Sequence, residues 1–202
     1  MVLLDLIDRD ALAIEVFTLD TGRLPEETYA LMQRVSERYR VKVRIYYPDT
    51  KRVEDYVRIN GINAFYESVA QRKECCHVRK VEPLARALAD KQAWITGMRR
   101  EQAPTRAALQ ASEHDPVHRL TKFNPLADWT QNDVWNYLKR FDVPYNALHD
   151  RGYPSIGCAP CTRAVKAGED VRAGRWWWEA ADGKECGLHS THEKQQTEAI
   201  EP

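Results

Sequence analysis

The chain has 202 residues, of which 43% are hydrophobic and 30% are charged, so it is long enough to bury one substantial core in one or at most two domains. Lysine plus arginine and aspartate plus glutamate number 30 each, which leaves no global positive field for nucleic acid or an anionic membrane. The first apolar run is too short and too acidic for a signal peptide, and no run of about 18 apolar residues occurs, so we expect a cytoplasmic protein.

The first part of the chain predicts a strand, a helix and a second strand. Residues Ala13 to Leu19 form a short apolar, β-branched run that ends at Asp20-Thr21-Gly22. Pro25 then opens a helix with apolar residues at helical spacing up to Tyr39. From Val41 to Tyr47 apolar and polar residues alternate, which indicates the next strand.

The middle of the chain continues this alternation. A helical stretch around Val53 to Ile59 is broken by Gly61, and Cys75 to Ala89 predicts a longer helix. The short apolar run Ala93 to Thr96 indicates a third strand. Residues Thr130 to Asp133 form a capping box ahead of an apolar helical pattern.

These elements predict an α/β fold with a Rossmann-like, mainly parallel sheet. We assign residues 1–150 to an α/β domain, residues 151–189 to an irregular cysteine-rich lobe and residues 190–202 to a polar, disordered tail. The cysteine-rich lobe has no clear periodicity, so we expect it to carry the chemistry on loops.

Five cysteines fall into the vicinal pair Cys75-Cys76, the CxxC pair Cys158 and Cys161, and the single Cys186. Two pairs can provide the four thiolates of a [4Fe-4S] cluster or of a structural zinc ion. Adjacent side chains on a helix diverge by about 100°, so the vicinal pair requires a wide metal core or a distorted backbone. The alternative is that these cysteines are small buried hydrophobes or disulfide partners.

The single cysteine lies in a segment with further reactive and cationic groups. His189 follows Cys186 by three residues, and a nearby imidazole favours a thiolate. Arg172 and Arg175 suit a tetrahedral anion such as a phosphate or sulfate ester, although exposed arginines are common. The three tryptophans at 176–178 are predicted to pack in the core.

Seven ordered motifs resemble those of one protein family. They are LDTGR (Leu19 to Arg23), ECC (Glu74 to Cys76), TGMRREQ (Thr96 to Gln102), KFNPL (Lys122 to Leu126), SIGCAPCTR (Ser155 to Arg163), GRWWWE (Gly174 to Glu179) and KECGLH (Lys184 to His189). Over residues 14–189 the chain therefore resembles the assimilatory adenylyl-sulfate (APS) and phosphoadenylyl-sulfate (PAPS) reductases, whose fold is of the PP-loop, adenine nucleotide alpha-hydrolase-like type.

The resemblance implies a role for each motif. It makes Cys186 the nucleophile, with His189 beside it, and implies that the other four cysteines ligate a [4Fe-4S] cluster, a pattern that favours APS over PAPS as substrate. The residues implied to bind the substrate are Leu19, Gly22, Lys80, Arg106, Arg172 and Arg175. AMP and sulfite are the implied products, thioredoxin or a similar dithiol the implied reductant, and we expect a homo-oligomer that binds neither nucleic acid nor membrane.

One departure from the family pattern concerns the start of the chain. Family members begin with a strand and a serine- and glycine-rich phosphate loop, whereas Met1 to Leu4 resembles the helix that follows this loop. We therefore expect an N-terminally truncated nucleotide-binding domain whose activity is reduced. The alternatives are a PAPS reductase, a zinc-stapled module without catalytic activity and a PP-loop tRNA-thiolating enzyme, which would require a basic RNA-binding surface.

Overall fold

The fold is that of a computed structural model, which describes residues 1–180 and residue 188. Within these residues helices of seven residues or more alternate with strands through the first half of the chain. The helices are α1 (Val2–Arg9), α2 (Glu26–Arg38), α3 (Thr50–Asn60), α4 (Val69–Cys76), α5 (Glu82–Leu88) and α6 (Gln131–Arg140). The strands are β1 (Val16–Leu19), β2 (Val43–Tyr46), β3 (Ala93–Ile95), β4 (Ser112–Asp115) and β5 (Leu120–Phe123).

The strands of the described residues form two small sheets. Strands β1 and β2 pair in parallel, with Val16 opposite Val43. In the second sheet, of order β3-β5-β4, β5 is parallel to β3 and antiparallel to β4. Parallel pairing requires helical crossovers, and α2 joins β1 to β2. The predicted α/β class with mainly parallel strands is confirmed.

The β4–β5 hairpin is an element that the sequence did not indicate. Its strands are short and carry charged residues, so they lack the alternation that marks a half-buried strand. Lys122 is nevertheless buried, because its Nζ lies 3.0 Å from Glu113 Oε1 on the neighbouring strand. This buried ion pair was not visible in the local sequence.

Helix α1 is held by a buried carboxylate. Asp5 accepts hydrogen bonds from the hydroxyl of Tyr39 at 3.0 Å and from that of Tyr137 at 2.8 Å. Tyr39 directly follows α2 and Tyr137 lies in α6, so one side chain joins three helices. Burial and the hydrogen bonds to Asp5 raise the pKa of Tyr39 and of Tyr137 above the ordinary value, so both hydroxyls stay protonated donors at neutral pH.

We expect Asp5→Ala to lower the free energy of unfolding by about 1–3 kcal/mol, because it leaves two tyrosine hydroxyls without their acceptor. Urea denaturation followed by circular dichroism measures this as a lower midpoint at unchanged slope. Asp10→Ala, at an exposed carboxylate just beyond the same helix, is the matched control and should shift the midpoint little. Equal midpoints for the two variants would contradict the structural role of Asp5.

No helix among the described residues combines the length and the apolar character that a membrane span needs. The longest is α2, with 13 residues and two glutamates in its first turn, whereas about 20 apolar residues are required to span a bilayer.

Candidate metal and substrate site

The loop after β1 is a tight turn that depends on Asp20 and Gly22. The Asp20 carboxylate accepts from the Gly22 N–H at 2.8 Å and from the Tyr29 hydroxyl at 2.9 Å. Gly22 has a φ of 69°, in the left-handed region where a side chain is strained. Gly22 is therefore part of the turn itself, while its role in substrate binding stays a prediction.

The vicinal cysteines lie where one helix changes its winding. Cys75 and Cys76 end α4, and residues His77–Val81 continue it as a π-helical turn before α5 begins. Such turns are rare and frequent at functional sites. The turn begins directly after the pair, and Cys76 itself keeps helical backbone angles, with φ of −65° and ψ of −37°. Cys76, Lys80 and Leu84 are all buried along this stretch.

The CxxC loop is held against the loop after β1. The Ala159 N–H donates to the Arg23 carbonyl oxygen at 2.8 Å, and the Thr21 hydroxyl lies 3.3 Å from the Cys158 sulfur. Arg79 Nη1 donates to the Thr21 carbonyl oxygen at 2.8 Å, which links the same turn to the helix of the vicinal cysteines. The turn after β1 therefore brings the two cysteine pairs together.

The segment Gly174–Glu179 closes the site from the other side. The Trp176 N–H donates to the Cys161 carbonyl oxygen at 3.2 Å, and the Arg163 N–H donates to that of Gly174 at 3.0 Å. A Cβ atom at Gly174 would collide with the Arg163 carbonyl oxygen, so this close backbone approach requires glycine. The Trp176 side chain is 1% exposed, as predicted for a core residue, whereas Trp177 is 40% exposed.

Four cysteine side chains line one narrow cavity in the interior. All four are buried and unbridged: Cys75, Cys76, Cys158 and Cys161. Cationic side chains also line this cavity: Arg23, Arg72, Arg79 and Lys80. No carboxylate stands among the described lining residues. A cavity with thiols and cations and without acids suits a group that carries net negative charge once the thiols are deprotonated.

Burial raises the pKa of two of the cavity thiols, those of Cys161 and Cys75, when no metal is bound. It raises the pKa of Cys161 to about 12, with a further increase from the neighbouring cysteine Cys158. Burial raises the pKa of Cys75 as well, although Arg79 opposes the shift. These two thiols are therefore protonated at neutral pH, and metal ligation must release their protons.

Two observations test which metal group the donor set fits. Trp176 Nε1 is buried, and it has no acceptor within the described part of the chain, although the indole packs in the cluster that contains Cys75, Cys158 and Cys161. In residues 1–180 and 188 no three histidine, cysteine or acidic side chains converge closely enough for a single metal ion. Four thiols around one cavity with an N–H donor beside them fit a wider core with its own sulfur acceptors better than one zinc ion.

The predicted substrate residues divide between this cavity and the surface. Lys80 lines the cavity, and the Arg175 guanidinium lies 4.6 Å from the ring centroid of Trp176. Arg172 is half-buried in the turn that precedes Arg175. Arg106 follows β3 and donates to Gln102 Oε1 at 2.5 Å, and it is not among the cavity residues. The structure thus brings Lys80 to the cysteines, places Arg175 against Trp176 and beside Gly157, and leaves Arg106 on a separate loop.

Cys186 and His189 lie outside the described residues. Leu188 is described, and it packs against a buried cluster that comprises Leu84, Leu88, Trp94 and Leu120. Leu19, at the end of β1, contacts the same cluster. Leu188, two residues beyond Cys186 in the sequence, therefore packs against the same cluster as the last residue of β1.

Sequence reasoning missed three groups that shape the site. Thr21, Arg72 and Arg79 are buried and contact the cysteine loops or line the cavity. Arg72 precedes Cys76 by one helical turn and Arg79 follows Cys75 by one, a spacing that could have singled them out. The high number of arginine and lysine residues near the vicinal pair could have indicated from the sequence that cations surround these cysteines.

Comparisons with known proteins point to one family. The sequence profile described as "Phosphoadenosine phosphosulfate reductase domain" matches residues 1–164. The adenosine 5'-phosphosulfate reductase of Burkholderia cepacia is 61% identical over 178 residues, which are 88% of this chain and 71% of the relative. The enzyme of the same name from Allochromatium vinosum is 56% identical over 94% of this chain and 74% of the relative.

A solved structure supports the same relationship. The crystal structure of the PAPS reductase from Candida auris, determined as a phosphate complex, superposes with a TM-score of 0.67 at 29% sequence identity. The match covers 81% of this chain and 77% of the Candida chain. The two proteins therefore share the α/β architecture described above.

Proposed function

The chain belongs to the phosphoadenosine phosphosulfate reductase domain family, and from this premise we propose that it is an adenylyl-sulfate reductase, which reduces APS to sulfite and AMP in sulfate assimilation. The observation that carries the proposal is the cavity of four buried cysteine thiols with cationic walls. It coincides with 61% and 56% identity to two relatives named as APS reductases.

The proposed reaction uses Cys186 as the nucleophile. Its thiolate attacks the sulfonyl sulfur of APS, the bond from that sulfur to the phosphate oxygen breaks, and AMP departs with the electron pair. The sulfonyl group remains on Cys186 as an S-sulfocysteine. His189 lies within three residues of Cys186 in the sequence and is proposed to favour the thiolate.

A dithiol such as thioredoxin completes the cycle. One of its thiolates attacks the Cys186 sulfur, and sulfite leaves with the electron pair of the S–S bond. The second thiol of the reductant then resolves the mixed disulfide and returns Cys186 to the thiol. Two electrons pass from the dithiol to sulfur. The proposal places the protein in the cytoplasm, where thiols stay reduced, and as a homo-oligomer.

The substrate anion is proposed to lie against the cations near the cavity. Arg172 and Arg175 would contact the phosphate and sulfate oxygens, since a guanidinium matches tetrahedral oxyanions. Lys80 reaches the same region from the π-helical turn, and Arg106 would contribute from the loop after β3. Leu19 and Gly22 would shape the nucleotide-binding edge of β1. Together these groups would stabilise charge on the leaving phosphate.

The cofactor proposed for the cavity is a [4Fe-4S] cluster. Cys75, Cys76, Cys158 and Cys161 would hold it, and when bound it supplies electrostatic and structural support beside the substrate. The buried Trp176 Nε1, without an acceptor among the described residues, supports a group with sulfide acceptors. The chain's residues orient this site through the contacts of Thr21 and the Trp176 backbone.

The domain boundaries remain part of the proposal. Residues 1–150 would bind the nucleotide together with the phosphate loop that family members carry upstream, residues 151–189 would provide the cluster and nucleophile segment, and residues 190–202 a polar tail. The assays below use an "extended chain", meaning this sequence preceded by that loop and its strand.

Direct measurements distinguish two alternatives from the proposed APS reductase. A PAPS reductase would turn over PAPS faster than APS, and a zinc-stapled module would contain stoichiometric zinc and no acid-labile sulfide. We expect anaerobically purified protein to contain iron and sulfide, to absorb near 400 nm and, as the extended chain, to prefer APS. Stoichiometric zinc without sulfide would contradict the cofactor, and a preference for PAPS would contradict the substrate.

We expect Arg172→Ala and Arg175→Ala each to lower kcat/KM for APS by the loss of a charge-assisted contact of about 1.5–3 kcal/mol. Sulfite release by the extended chain measures the loss, and iron content shows whether the cluster persists. Arg151→Ala is the matched control, because this exposed guanidinium pairs with Glu27 at 2.8 Å outside the cavity. Unchanged kcat/KM in both arginine variants would remove them from the substrate site.

A further inference from the structure

A buried ion pair joins helix α4 to the segment Gly174–Glu179. The Arg72 guanidinium donates from Nε to Glu179 Oε1 at 2.9 Å and from Nη2 to Glu179 Oε2 at 2.7 Å. The exposed fraction of the side chain is 0% for Arg72 and 4% for Glu179. The function proposed above uses Arg72 only as one of the cations around the cavity and gives Glu179 no role.

The guanidinium of Arg72 also faces the four-cysteine cavity. Arg72 precedes Cys76 by four residues in α4, and residues at that spacing share one face of a helix. Both side chains line the cavity, and the Cys76 thiol lies within hydrogen-bonding reach of the guanidinium. The Arg72 Cζ atom is 4.7 Å from the ring centroid of Trp176. Glu179 and the indole together therefore fix the guanidinium beside a cysteine of the vicinal pair.

Stability alone is a weak reason for such a pair. Two buried charges lose their hydration, and apolar residues of the same volume are often equally stabilising. The pair instead fixes the orientation of the Arg72 guanidinium, because Glu179 accepts from two of its five N–H donors, which all lie in one rigid plane. The remaining donors are then oriented by the carboxylate. The pair as a whole is neutral, so it offers the cavity a donor without adding net charge.

We infer that Glu179 is a positioning residue that holds Arg72 so that its guanidinium donates an N–H···S hydrogen bond to the Cys76 thiolate when this thiolate ligates the cluster. The inference rests on the proposed function, which supplies the cluster. Hydrogen bonds to ligand sulfur withdraw electron density from it and are one of the ways in which a protein tunes an iron–sulfur cluster.

The test compares holoproteins purified without oxygen. Glu179→Gln keeps the side-chain shape and removes the charge that orients Arg72. We expect cluster iron to pass to a ferrous chelator on the order of 10- to 100-fold faster than in the wild type. The Fe–S(Cys) stretching bands in resonance Raman spectra should move to higher frequency, because a thiolate without its hydrogen bond binds iron more covalently.

A second variant tests the same hydrogen bond, and a control variant tests whether the effect is specific to it. Arg72→Lys keeps the positive charge and loses the planar fork, so it should change both measurements in the same direction, and the test does not depend on one variant alone. Glu169→Gln is the matched control, since Glu169 accepts two hydrogen bonds from Arg163, at 2.8 and 2.9 Å, and is not a cavity residue. It should match the wild type.

The outcomes separate the inference from the proposed function. Wild-type protein without iron and sulfide would overturn both. A wild-type cluster whose iron release and Fe–S(Cys) bands are unchanged in Glu179→Gln and Arg72→Lys would overturn the inference alone. Faster iron release with unmoved bands would also overturn it, because a merely structural pair would give that result.

Discussion

Cys186→Ser is expected to abolish sulfite formation from APS while the iron and sulfide content stays at the wild-type level. A serine hydroxyl is almost fully protonated at neutral pH and is a much weaker nucleophile than a thiolate. The loss in kcat should be on the order of a thousandfold or more, since removal of a nucleophile leaves only binding contributions to the rate. The measurement is sulfite release by the extended chain with thioredoxin as reductant.

In Cys186→Ser the loss of sulfite formation must occur without a loss of iron. Incubation of wild-type protein with APS in the absence of reductant should add one sulfonyl group to Cys186, which mass spectrometry detects, and the serine variant should stay unmodified. Turnover that persists in the serine variant would remove Cys186 from the reaction. Loss of iron in the same variant would instead assign this cysteine to the metal group.

Cys158→Ser, unlike Cys186→Ser, is expected to lose iron, acid-labile sulfide and the absorption near 400 nm. Serine is a poor substitute for a thiolate ligand of iron, and its hydroxyl would also alter the contact with Thr21, which lies 3.3 Å from the Cys158 sulfur. Substitution of residues that only hydrogen-bond to metal ligands lowers metal affinity about 10- to 100-fold, so loss of a direct ligand should lower it at least as much.

The reference for Cys158→Ser is the Cys186→Ser protein, prepared in parallel without oxygen, because both carry the same chemical change. Iron and sulfide that equal the wild-type values in Cys158→Ser would exclude this cysteine as a ligand. Equal losses of iron in both serine variants would contradict the separate roles proposed for Cys158 and Cys186.

Local patterns in the sequence were sufficient for much of the fold. The capping box at Thr130 to Asp133 predicted the start of α6, and both of its reciprocal hydrogen bonds are present. The strand before Asp20 and the helix after Pro25 were also predicted, because periodicity and caps are complete within a short window of residues. The two cysteine pairs and the single cysteine could likewise be separated by spacing alone.

The strand pair β4–β5 and the surroundings of the cysteines were decided by the tertiary structure. Thr21 meets Cys158 across 137 residues, and Arg72 meets Glu179 across 107. In the sequence an arginine, a lysine or a glutamate indicates solvent exposure. Lys122 and Arg72 are nevertheless buried, because Lys122 pairs with Glu113 on the neighbouring strand and Arg72 pairs with Glu179, 107 residues away.

The sequence by itself therefore determined the α/β class, the helices and strands with strong periodicity, and the partition of five cysteines into four paired thiols and one single thiol. Only the tertiary structure placed the four thiols around one cavity, surrounded it with Arg23, Arg72, Arg79 and Lys80, and assigned Glu179 to Arg72. The physical reason is that a buried charge such as that of Arg72 needs a partner of opposite charge. Its partner lies in a distant segment, and the local sequence of either segment does not predict the contact.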